Sequence, residues 1–220
     1  MRCLACTVLL ISLATAAVAQ NYFPLDTGLV WTYTDGAGSD LEGTVLGPVE
    51  YNGLTVVELQ YLQTGANTQE YHNFWTREAG GVTWLHGAWN ASGFSATYDP
   101  PILYIEAPLY QGLVWTTVFG YNGEPSEATY EVFEEGDTTV PMGTFYAYGI
   151  GAAEPLRAGE HAGYDMLGRR LDGGTREASR WYTENIGMIR YLASFELVSF
   201  SGSVATEQTT WTGVKALFIQ

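Results

Sequence analysis

Pro24-Leu25-Asp26-Thr27-Gly28-Leu29-Val30-Trp31-Thr32 is written a second time as Pro108-Leu109-Tyr110-Gln111-Gly112-Leu113-Val114-Trp115-Thr116, with seven of the nine positions identical. In each copy proline fixes φ, glycine permits a tight reversal, and large apolar side chains then fall on alternate positions. Leu29, Trp31 and Tyr33 share one face of the first copy; Leu113, Trp115 and Phe119 share that face of the second, with Thr117 interrupting it. A turn feeding a half-buried strand is the reading in both places.

A second pair of segments repeats in the same order, Phe74 to Trp84 aligning without gaps on Trp181 to Tyr191. From Pro24 to Phe74 is 50 positions and from Pro108 to Trp181 is 73, so the second copy carries an insertion between its blocks. Two blocks in register point to an internal duplication. Repeat 1 then spans about residues 20–106 and repeat 2 about 107–220, with the insertion at about 151–179.

No stretch keeps a 3.6-residue apolar period for three turns, whereas short runs rich in Val, Thr, Tyr, Phe and Trp recur between Gly, Asn and Asp turns. Candidate strands are Val30 to Thr34, Thr55 to Leu62, Val82 to His86, Leu113 to Phe119, Thr129 to Phe133 and Phe145 to Ile150. In the last strand pair Ile189, Tyr191, Phe195 and Leu197 alternate with Arg190, Ser194 and Glu196, giving one packed face and one polar face. Asn52-Gly53 and Asn122-Gly123 mark hairpin turns. Asp35-Gly36-Ala37-Gly38-Ser39-Asp40 lacks the regular acidic spacing of a calcium loop and reads as a Gly-rich turn. The expected fold is a single all-β domain over 20–220, an antiparallel curved sheet or half-barrel built from two similar halves.

Residues 1–19 carry Arg2, an apolar run through Val8 to Leu13 and a small-residue end at Ala17-Val18-Ala19, the pattern of a secretory signal peptide cleaved after Ala19. The apolar run is shorter than the ~20 residues of a spanning helix, and no later stretch reads as a membrane span. Cys3 and Cys6 both precede the cleavage site, so the mature chain is expected to hold no disulfide and no Cys-ligated metal. Cleavage also takes the basic residues from 9 to 8 against 24 acidic ones, and the formal charge from −15 to −16. Such a surface disfavours nucleic acid and favours solubility.

Three phrases resemble those of a group of exported bacterial β-rich domains of unknown function: Tyr22-Phe23-Pro24-Leu25 with Gly28 and Trp31, Val140-Pro141-Met142-Gly143-Thr144-Phe145, and Trp181-Tyr182 with Gly187-Met188-Ile189. The resemblance implies a β-rich fold of the half-barrel sort seen in periplasmic lipoprotein carriers. It brings no established activity and so no functional residues. Met142 stands where the central phrase usually has a small residue, and Glu184-Asn185 replaces a turn that more usually contains proline.

No catalytic constellation stands out. His72, His86 and His161 form no local ligand pair, no nucleophile-elbow phrase surrounds a serine, and no cofactor or metal is called for. Glu106, Glu131, Glu134 and Glu135 are the carboxylates from which a polysaccharide hydrolase would have to assemble its acid and its base or nucleophile. The aromatic-rich stretch holding Trp84, His86, Trp89, Tyr98 and Tyr104 is the candidate ligand groove, with Trp89 expected to be exposed beside a turn. The insertion holds Arg157, His161, Arg169, Arg170 and Arg176, either on an ordinary hairpin closed by Asp172-Gly173-Gly174, on a mobile loop, or on a loop that binds a partner or anion. The leading expectation is a non-catalytic exported or envelope-associated domain presenting an aromatic groove to an apolar or carbohydrate ligand. A secreted hydrolase and a surface-interaction domain using the 151–179 loop are the alternatives.

Overall fold

The computed structural model describes residues 20–65, 68–78, 80–152, 179–191 and 194–203. The leader, both cysteines and the candidate loop residues Arg157, His161, Arg169, Arg170 and Arg176 lie outside the described residues, as does the hairpin expected at Asp172-Gly173-Gly174. Twelve strands are described: β1 (Val30–Thr34), β2 (Asp40–Tyr51), β3 (Leu54–Thr64), β4 (Gln69–Arg77), β5 (Thr83–Asn90), β6 (Ser95–Ile105), β7 (Val114–Tyr121), β8 (Glu124–Val140), β9 (Gly143–Ala152), β10 (Arg180–Thr183), β11 (Gly187–Tyr191) and β12 (Phe195–Ser201). The expected insertion falls between β9 and β10.

Each strand pairs antiparallel with its sequence neighbours, and β1 pairs with β12, so the sheet closes into a barrel. This corrects the expectation of an open sheet or half-barrel. Each sequence half supplies six strands, and the closing ladder from Val30–Ser201 to Thr34–Glu196 removes the free edge that a half-barrel would leave. The physical reason is that strand twist brings the first and last strands of a long meander together, where closure satisfies their backbone groups.

Alternation decides inside from outside. In β2 and β7 the buried residues Leu41 and Val45, then Trp115, Thr117 and Phe119, alternate with Asp40, Glu42, Val114, Thr116 and Val118 on the outer face. A barrel of this many strands encloses more volume than aliphatic side chains readily fill, and large rings occupy it. Tyr33, Tyr61, Trp75, Tyr104, Phe119 and Tyr182 are all nearly inaccessible. An apolar lumen with acidic residues outside reverses the pattern of a lipid-facing barrel. No helix among the described residues is long and apolar enough to cross a membrane.

The repeated blocks fall six strands apart. Gly28 and Gly112 both adopt φ 86°, a value open to glycine at no steric cost. Their N–H groups donate to Val45 and Val132 respectively, and those two residues donate back to Leu29 and Leu113. Bulges recur at matching places, between Val45 and Gly47 on β2 and between Val132 and Glu134 on β8. They recur again between Phe74 and Trp75 on β4 and between Trp181 and Tyr182 on β10. The gapless alignment of the second blocks does not hold past the turn: Thr76 faces Trp84 across one hairpin, whereas Thr183 faces Gly187 across the other. The β4–β5 turn is longer, so Trp84 corresponds to Gly187 and not to Tyr191.

The segment before β1 closes one end of the lumen. Phe23 is buried against Trp75, with ring centroids 4.7 Å apart, and lies 6.3 Å from Tyr104 and 6.2 Å from Tyr182.

Candidate functional site

The five aromatic-stretch candidates do not form one groove, because strand alternation divides them between the two faces. Tyr98 and Tyr104 are buried in the lumen. Trp84, His86 and Trp89 lie on β5 and are at least partly exposed. The Trp84 indole donates to Glu78 Oε1 at 2.8 Å, and His86 Nε2 lies 2.8 Å from Thr76 Oγ1. Partial burial pushes the His86 imidazole down from its ordinary value.

Trp89 is exposed at 36%, and its ring lies flat on His72 with centroids 4.0 Å apart and planes 5° from parallel. His72 faces Trp89 across the β4–β5 ladder, which is why the two rings meet. His72 is held on both sides: Nδ1 is 2.6 Å from Glu58 Oε1 and Nε2 is 2.9 Å from Glu70 Oε1. Each ring nitrogen thus faces a carboxylate oxygen, and the two contacts fix the plane of the imidazole. Hydrogen bonds from His72 and Gln60 hold the Glu70 carboxyl below the usual carboxylate range. The outcome is a flat, partly exposed indole on a fixed base, with a polar rim on β3 and β4.

The second arrangement lies inside. Arg180 and Tyr182 share a parity on β10, so both side chains enter the lumen. Arg180 is 2% exposed, its guanidinium carbon 4.7 Å from the Tyr104 ring centroid and 5.4 Å from that of Tyr130. No ion pair includes it among the described residues, and Nε and Nη2 have no hydrogen-bond partner. Burial works against its charge, but the surrounding Tyr104, Tyr182 and Tyr130 outweigh that and raise its affinity for the proton. Burial also pushes the Tyr130 phenol up to about 12, with Arg180 opposing the rise.

The remaining candidates stand apart. Glu131, Glu134 and Glu135 follow one another along β8, and Glu106 follows β6. Glu135 Oε2 accepts from the Gln111 N–H at 2.8 Å. Among the described residues no group of three His, Cys, Asp or Glu side chains is placed to hold a metal ion. The Asp35 segment is a turn: Asp35 Oδ1 accepts from the Ala37 and Ser39 N–H groups at 2.7 and 2.9 Å, and these bonds hold its carboxyl below the usual range.

Sequence reasoning passed over the Glu58–His72–Glu70 clamp and Arg180. The clamp joins three residues from two strands whose register is not written locally. Arg180 had a signal in its parity with Tyr182, an arginine in phase with a buried ring.

No protein-family model matches this chain, and no curated protein is similar to it in sequence at a significant level. Among solved structures, a candidate exported protein of Bacteroides fragilis with a YmcC-like fold aligns with 83% of this chain and 100% of its own, at 15% identity and a TM-score of 0.39.

Proposed function

We propose that this chain is an exported, non-catalytic binding domain that presents Trp89 to a carbohydrate. The observation that carries the reading is the Trp89 indole, 36% exposed and seated on a histidine that is itself fixed between two carboxylates. A ring already held in one orientation loses little freedom on binding, and its open face suits the apolar face of a sugar. Gln60 and Glu70 beside it supply hydrogen-bonding groups for hydroxyls. Export rests on the leader-like pattern of residues 1–19, and the outer position of the indole favours a carbohydrate over an apolar ligand that would need enclosure.

The test is calorimetry and tryptophan fluorescence of the mature protein against a panel of soluble oligosaccharides. Wild type is expected to bind at least one, and Trp89→Ala to weaken that binding about tenfold, in line with loss of an aromatic contact, while keeping the wild-type circular dichroism. Equal binding by a folded Trp89→Ala variant would remove this site.

A further inference from the structure

Arg180 carries two hydrogen-bond donors that the barrel leaves without acceptors. Its guanidinium is buried, and Tyr104 and Tyr130 attract the cation through their ring faces, yet two of its nitrogens find no acceptor. The two partnerless nitrogens are Nε and Nη2. They lie on one edge of the planar group, and their parallel N–H bonds match the two oxygens of a carboxylate. Leaving a buried charge uncompensated is costly, yet strand alternation sends acids such as Glu42, Glu127 and Asp137 outward. Among the described residues, a strongly acidic protein therefore sets no carboxylate against the positive charge inside its barrel.

We infer that the Nε–Nη2 edge of Arg180 is a receptor for the carboxylate of a small organic acid with an aromatic or apolar body. One free edge takes one carboxylate, so the class is a monocarboxylate. The rings of Tyr104 and Tyr130 flank the guanidinium and receive the apolar body of the ligand. Phe23 packs against Trp75, Tyr104 and Tyr182 and holds these rings in place. This site is separate from Trp89, which lies on the outer face of the wall.

The experiment compares 4-phenylbutyrate with its neutral counterpart 4-phenylbutanol on the intact mature protein, by calorimetry and by the NMR resonance of the Arg180 Nε–H. The acid is expected to bind about tenfold more tightly than the alcohol, the scale of hydrogen bonds to a charged group, and to displace the Nε–H resonance, which the alcohol leaves in place. Arg180→Met is expected to abolish the preference for the acid. Equal binding of the two compounds, no binding of the acid, or an unmoved Nε–H resonance at saturation overturns the proposal. Because the last three outcomes are read on wild type, an Arg180→Met variant that fails to fold does not shield it.

Discussion

The two sequence halves meet at two seams, β12 against β1 and β6 against β7, and the seams are built differently. At the first, five residues of β1 pair with β12 along the backbone. At the second, one backbone pair, Tyr98 with Tyr121, joins β6 to β7. Pro100 and Pro101 lie in the middle of β6 and have no N–H to donate, which explains the interruption. Side chains take over: the Trp115 indole donates to the Leu103 carbonyl at 3.1 Å, and Thr117 Oγ1 accepts from the Leu103 N–H at 2.9 Å.

The same two positions of the repeat work at the first seam. Trp31 donates to the Ile186 carbonyl at 2.6 Å and Tyr33 to the Met188 carbonyl at 2.8 Å, both reaching past β12 to β11 and its turn. The repeated tryptophan thus ties its strand to the other half in both copies. Tyr33 and Thr117 differ because one must span a strand while the other serves an N–H left over beside the prolines. What interrupts the apolar face at Thr117 is therefore a structural substitution for a missing ladder bond.

Alkaline pH is expected to have the largest effect, acting on the first seam through Tyr33 and on the rest of the lumen through the other buried phenols. Burial raises the Tyr33, Tyr61, Tyr130 and Tyr182 phenols, Tyr130 to about 12. A raised phenol contributes stability that is fully present below its unfolded value of about 10 and is lost as pH climbs through the folded value. Wild type is expected to unfold cooperatively above that point, with tyrosinate absorbance and tryptophan fluorescence changing together. Tyr33→Phe, less stable at neutral pH, is expected to lose less on going alkaline. Phenols that ionise near their ordinary value without any change in fluorescence would contradict this.

Gly120→Ala comes next and strikes the second seam. A Cβ there would lie 2.0 Å from the Asp99 carbonyl oxygen, a backbone atom that cannot swing aside. The expected cost is about 3 kcal/mol, at the upper end of overpacking, read from urea unfolding. A loss below about 0.5 kcal/mol, the scale of a neutral surface change, would mean that β6 and β7 are not so closely apposed.

The smallest effects compare the seams directly. Thr117→Val strands the Leu103 N–H and is expected to cost about 1–3 kcal/mol, against about 1 kcal/mol for Tyr33→Phe, where the Met188 carbonyl loses one donor. The same denaturant midpoints decide it. If Tyr33→Phe proves the costlier, the backbone-poor seam does not depend on its side chains.

Much of this architecture was written locally. The turn at Pro24 to Gly28, the strand parity of Trp31 and Tyr33, the Asn-Gly hairpins and the exposed setting of Trp89 follow from φ preferences and a two-residue period, both of which act over a few neighbours. So does the face shared by Ile189, Tyr191, Phe195 and Leu197, all buried here. Closure of the sheet, the pairing of Glu58 and Glu70 around His72, and the cage of Tyr104 and Tyr130 around Arg180 belong to tertiary structure. Each depends on strand register or on contacts between distant walls of the barrel. Local preferences fix which way a side chain points, and only the closed sheet fixes what it meets there.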